Sequence, residues 1–316
     1  MARLWFQDWA KGAVIYQIFV DRFCNGDPAN DVETDEYIYI GQPVTKIANW
    51  NQNPSAMDVR CFYGGDLRGV WEKLDYLQNL GVEVLYFNPM FVSPSNHKYD
   101  TQDYDHIDPH YGRIVKDGGK LADPHAKDNV ASTKYQLRSA GRENLEASDL
   151  FFAQFIEEVH RRGMKVIIDG VFNHCGSFNK WLDRERIYES MDGCGAKHKV
   201  FEEQIKRHPE IEDVTFANVI LCNENMFKIH NNNAWPYNGS YDGWWGHDTL
   251  PKLNYEDSPK LHDYIMEIAG KWVSAPYNAD GWRLDVAADL GHSPEYNHRF
   301  WKDFRRAVKK ANPEAV

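Results

Sequence analysis

The stretch "GWRLDVAADL" (residues 281–290) places Arg283 and Asp285 in an otherwise apolar run. Side chains alternate along a strand, so Trp282, Leu284 and Val286 share one face, and Arg283, Asp285 and Ala287 the other. Burying charge is expensive, and even a paired charge adds little net stability. Packing alone therefore gives weak reason for the pair. It is either a structural ion pair closing a strand end or a carboxylate kept ionised for chemistry. A second apolar run, "VIIDGVFNH" (166–174), puts Asp169 and Asn173 on one face, with His174 where the run ends. Beyond a third run lies "HKYDTQDY" (97–104), which supplies His97, Tyr99 and Asp100. Taken singly, each of these residues is explained by structure. Together, at three strand ends, carboxylate, guanidinium, imidazole and an aromatic ring offer a polyhydroxylated ring its fixed donors and acceptors and a flat face to stack on.

A separate cluster, "NGDPAND", crowds Asn25, Asp27, Asn30 and Asp31 into seven residues. Hard oxygen donors at this density suit Ca²⁺, which takes about 6 to 8 of them. An ordinary Asn/Asp turn explains the composition equally well. Of the 11 tryptophans, most are expected in the core. Trp235, Trp244 and Trp245, within "NNNAWPYNGSYDGWWGHD" (231–248), are the candidates for lining a substrate path.

The elements that must position these groups alternate. Apolar runs at 13–20, 82–90, 164–174 and 281–290 read as strands. Segments at 70–81, 150–163, 260–273 and 300–313, apolar every three or four residues, read as helices. Repeated β-then-α units imply an α/β fold with a parallel sheet, doubly wound or closed into a barrel. Three polar stretches, 21–64, 113–148 and 175–250, interrupt the rhythm after strand ends, the face on which such folds carry their sites.

With a formal charge of −11 and no dense basic run, the chain is a poor partner for nucleic acid or an anionic membrane. A neutral substrate suits it better. Five scattered cysteines, Cys24, Cys61, Cys175, Cys194 and Cys222, lack paired-ligand spacing and favour reduced thiols. No cleavable leader and no run of 18 apolar residues is evident, so a soluble, cytoplasmic protein is expected.

The motifs "DGVFNH" (169–174), "GWRLDVAAD" (281–289) and "LPKLN" (250–254) resemble conserved regions of the α-amylase family, glycoside hydrolase family 13. With "VIYQIFVDRFCNGDP", "FYGGDLRGV" and "SPSNHKYDTQDY", they resemble its neopullulanase and cyclomaltodextrinase branch over essentially the whole length. The resemblance implies the N-terminal half of a (β/α)8 TIM barrel. Residues 1–174 would carry strands one to three with two helices, 175–250 an inserted subdomain, and 251–316 the third helix, fourth strand and fourth helix. It implies retaining hydrolysis of α-glucosidic bonds in an α-glucan oligosaccharide, with a homodimer as the assembly. Asp285 is then the nucleophile and Arg283 the residue that holds it ionised. His97 and His174 bind hydroxyls, Tyr99 is the stacking platform, and Asp100 and Asp169 are supporting carboxylates. Ca²⁺ is implied on Asn25, Asp27, Asn30 and Asp31, completed by Gly64 and Asp66. The family's general-acid glutamate belongs to a fifth strand, expected where the chain reaches "KKANPEAV". A transglycosylase remains the alternative, as does a sugar-binding scaffold if the gene ends at Val316.

Overall fold

The computed structural model describes residues 7–56, 58–182, 187–188 and 241–316. The strand β1 (Ile15–Ile18) opens the chain. It is followed by the antiparallel pair β2 (Ile38–Tyr39) and β3 (Gln42–Pro43), and by β4 (Thr45–Lys46) with β5 (Cys61–Phe62). Helices α1 (Leu67–Glu72) and α2 (Leu74–Asn79) lead to β6 (Val84–Phe87) and to the pair β7 (Phe91–Val92) and β8 (Asp103–Ile107). Then come α3 (Thr133–Ala140), α4 (Arg142–Arg161), β9 (Lys165–Gly170), α5 (Pro259–Lys271), β10 (Gly281–Leu284) and α6 (Pro294–Ala311). The central sheet is parallel, in the order β1-β6-β9-β10, with each strand followed by helix as the sequence predicts.

The outer face of this sheet and the helices form one core. Ile18, Leu85, Ile168 and Trp282 meet Phe152 and Phe155 of α4, Trp272, and Phe300 and Phe304 of α6. A smaller core gathers Tyr37, Tyr39, Phe62, Tyr135 and Phe178 beneath the loops at the carboxyl ends of the strands. Beyond β10, Val316 takes a parallel pairing position: its N–H donates to Asp280 O, and its carbonyl accepts from Trp282 N, both at 2.9 Å. In the same C-terminal segment, Pro313 O accepts from Gln7 Nε2 (2.6 Å) and Glu314 O from the Trp9 indole (3.1 Å).

Several expectations need correction. The helix expected over 70–81 is two, broken at Lys73, where ψ is 4°, and Leu80 is exposed rather than part of the apolar stripe. The helix expected from 150 begins at Arg142, and the stretch 113–148 carries α3 as well. Strand β10 stops at Leu284, and Val286 is left-handed (φ 39°). Val286 therefore leaves the face of Trp282 and lines a cavity. Most of the 175–250 insertion, with Cys194, Cys222 and Trp235, lies outside the described residues. The described thiols Cys24, Cys61 and Cys175 are free. Among the described residues no helix is long and apolar enough to cross a membrane.

Candidate active site

Strand register makes the site. β9 and β10 pair so that Asp169 lies directly beside Arg283, and on parallel neighbours paired residues project from the same face. Arg283 Nη1 donates to Asp169 Oδ1 at 3.1 Å and to Asp285 Oδ1 at 2.6 Å. One guanidinium thus holds two carboxylates. From the next strand the Tyr86 hydroxyl donates to Asp169 Oδ2 (2.6 Å), and the Tyr99 hydroxyl reaches the same atom at 3.2 Å. Burial raises the Asp169 carboxyl to about 6 against the opposing pull of Tyr86 and Arg283.

Above these groups opens a cavity of about 650 Å³, lined by His97, Tyr99, His174, Trp244, Asp285 and Val286 among others. The size suits a small ligand. His174 Nε2 lies 3.2 Å from Tyr99 O, and its ring stacks at 5.5 Å on Trp244. Burial depresses His174 to about 4, and burial likewise lowers His97, so both imidazoles are neutral near pH 7 and can donate to and accept from hydroxyls. The "LPKLN" segment explains itself here: Cys175 N donates to Pro251 O and Leu253 N to Asn173 O, which straps the end of β9 and fixes His174.

His97, Tyr99, His174 and Asp285 therefore line the cavity, whereas Asp169 and Asp100 sit behind it, 1% and 0% exposed. Asp100 is spent on the Tyr39 and Ser93 hydroxyls (2.6 Å each) and that of Ser95. It braces the loop. Of the tryptophan candidates, Trp244 lines the cavity, while Trp245 stands 82% exposed beside it. Sequence reasoning missed Tyr86 and its neighbour Asn88, which accepts from Gln17 Nε2 at 2.8 Å. The signal was present, since Tyr86 and Asn88 are two polar groups at period two on one strand face.

The 25–31 loop gathers oxygens in the manner of a cation cradle. Asn25 Nδ2 donates to Asp31 Oδ1 at 2.7 Å, and Asn30 Nδ2 to Gly112 O at 3.1 Å, while the amide oxygens of Asn25 and Asn30 are buried without a donor. Asp31 Oδ2 faces the Lys46 ammonium. A side chain at Gly64 would run into Asp31 Oδ1, 2.3 Å from an added Cβ, and Gly64 adopts φ 82°. These oxygens fit a hard cation. Asp66 is engaged otherwise, accepting from the N–H groups of Gly69 (2.6 Å) and Asp27 (2.8 Å), and so caps α1. Among the described residues no group of three His, Cys, Asp or Glu converges on one point. The fit therefore rests on the amide oxygens of Asn25 and Asn30 together with the Asp31 carboxylate.

The model of the α-amylase catalytic domain matches residues 17–127 and 148–316. Neopullulanase 2 of Thermoactinomyces vulgaris is 34% identical over 98% of this chain, and the cyclomaltodextrinase of Thermoanaerobacter pseudethanolicus is 31% identical over 98%. The chain spans 38% and 39% of their lengths. Among solved structures, the type III pullulan hydrolase from Thermococcus kodakarensis superposes with a TM-score of 0.66 at 30% identity, over 98% of this chain and 43% of that one. The four-stranded sheet is thus an arc of a (β/α)8 barrel with the cavity at its carboxyl-end face, and the chain belongs to the α-amylase family.

Proposed function

We propose that the protein carrying this chain hydrolyses α-glucosidic bonds of maltooligosaccharides, cyclodextrins or pullulan-type glucans with retention of configuration. The observation that carries this is Asp285 on the cavity wall, 2.6 Å from Arg283. Neutral His97 and His174 bind hydroxyls, the Tyr99 ring carries the apolar sugar face, and Trp244 extends the platform. Asp285 attacks the anomeric carbon. The C–O bond to the leaving sugar breaks as the ester to Asp285 forms, and the leaving oxygen takes a proton from a second carboxylic acid. Water then cleaves the ester with that second group as base. Asp169 is unsuited to the donor's role, being buried behind the cavity and held by Tyr86, Tyr99 and Arg283. We assign the donor to a residue outside the described ones. The names of the relatives support an α-glucan substrate, and the free thiols support a cytoplasmic setting. The test is release of reducing ends from maltotriose, α-cyclodextrin and pullulan by the longest natural protein containing this chain. Release from none of them overturns the reading.

Calcium is proposed on the oxygens of Asn25, Asn30 and Asp31, with Asp27 and the Gly64 carbonyl completing the shell. When bound it supplies charge that pins this loop against the barrel. A ligand that binds only the folded state stabilises it by about 2.7 kcal/mol at a hundred times its dissociation constant. Chelator is therefore expected to lower the melting temperature by several degrees, and Asp31→Ala to remove the difference. A parent protein whose melting temperature ignores chelator refutes the site.

A further inference from the structure

His97 and Tyr99 face the sugar cavity, and the residue between them turns the other way. Lys98 adopts φ 59°, and its side chain is 1% exposed. Its ammonium lies 2.6 Å from Asp108 Oδ2, 2.8 Å from Ser93 O and 4.6 Å above the Tyr111 ring, while its N–H donates to Ser95 Oγ at 2.9 Å. A residue other than glycine keeps a left-handed backbone only where its surroundings hold it there. Here the holding group is the ammonium.

That ammonium ends a buried chain of alternating charge. Asp108 Oδ1 meets His110 Nδ1 at 2.9 Å, His110 Nε2 meets Glu36 Oε1 at 2.9 Å, and Glu36 Oε2 accepts from Arg138 Nη1 at 2.7 Å. Burial works against charge on His110, but the carboxylates on either side outweigh it and raise the imidazole above its ordinary value. Arg138, from α3, donates onward to Asp31 O (2.8 Å) and Ala29 O (2.9 Å). The chain therefore fastens the sugar-facing loop to backbone carbonyls of residues 29–31. Removing one member leaves an uncompensated charge in the interior, which is strongly destabilising.

We propose that Lys98 is a positioning residue for the sugar cavity: anchored on Asp108, it turns the backbone so that His97 and Tyr99 present their rings to the substrate. The proposal rests on the reading of the cavity as a sugar site. A plain structural ion pair, by contrast, leaves the Tyr99 ring in place when it is removed.

The test uses Lys98→Met combined with Asp108→Asn in the longest natural protein containing this chain, so that no unpaired charge is left buried. The Tyr99 hydroxyl, 3.2 Å from Asp169 in the parent, is expected to leave hydrogen-bond range in the variant's crystal structure. kcat/KM on maltotriose is expected to fall on the order of a hundredfold, the cost of misplacing a substrate-positioning group by about 1 Å. Asp108→Asn alone, which leaves Lys98 an acceptor, is expected to fold and to lose activity severalfold. A folded double variant with His97 and Tyr99 unmoved overturns the proposal, as does a folded Asp108→Asn protein with parental kinetics. If the parent cleaves no α-glucan, the hydrolase reading falls, and the position of the Tyr99 ring in the variants still decides the role of Lys98.

Discussion

Asp285→Asn in the longest natural protein containing this chain is expected to cut kcat on maltotriose by more than a hundredfold while leaving the melting temperature where it was. The amide is nearly isosteric, and its oxygen can still accept from Arg283 Nη1, which lies 2.6 Å from Oδ1 in the parent. What the amide lacks is a nucleophilic oxygen to form the glycosyl ester. Losing the nucleophile of a concerted site costs on the order of 10⁴ to 10⁶ in rate, far more than any loss of binding at this position. Steady-state kinetics beside a thermal melt decide the matter. A residual rate above about one hundredth of the parent's would remove Asp285 from the nucleophile's role.

Arg283→Met should have the next largest effect, and its signature is a displaced pH profile as well as a lower rate. Arg283 is the cation shared by Asp169 and Asp285. Burial already lifts Asp169 to about 6, and Arg283 is among the groups restraining it. Without that charge the Asp169 pKa rises further. A carboxylate that must be ionised then protonates at higher pH, so the acid limb of kcat/KM moves to higher pH. At pH 7 the loss is expected to be on the order of 10² to 10³, similar to removal of one electrostatic stabiliser from a catalytic site. An acid limb that stays in place in the variant would mean that the guanidinium does not set the protonation of Asp169.

The wall that carries Arg283 and Asp285 was legible in the sequence because its information is local. Alternation along a strand places Arg283 and Asp285 together, and a polar residue in each of two apolar runs is a conspicuous exception. Cross-strand register, which brings Asp169 to Arg283, has no local code, and Tyr86, although its period-two spacing to Asn88 marks a polar face, sits between Leu85 and Phe87, where a tyrosine also reads as core. Asp66 stands at the start of a helix, where Asp is a common cap, and the N–H groups of Gly69, Asp27 and Gly26 that it accepts from give it that local role. The break at Lys73 and the presence of α3 were missed because tertiary packing selected them over the weak periodicity of the segments. Least legible was the Lys98 chain. Its Glu36–Arg138 link joins residues 102 positions apart, and no periodicity reports on such a pair.

Gln7 and Trp9 bind the carbonyls of Pro313 and Glu314 across separations of 306 and 305 residues. Closing a flexible loop of that length costs about 5 kcal/mol in chain entropy, whereas two hydrogen bonds return roughly 1 to 3 kcal/mol. These contacts cannot initiate assembly; they form once the sheet has carried both segments to the same place. This terminal contact is therefore a clasp rather than a seed, and during synthesis the residues that leave the ribosome early must wait for those around 313 before they acquire their partners.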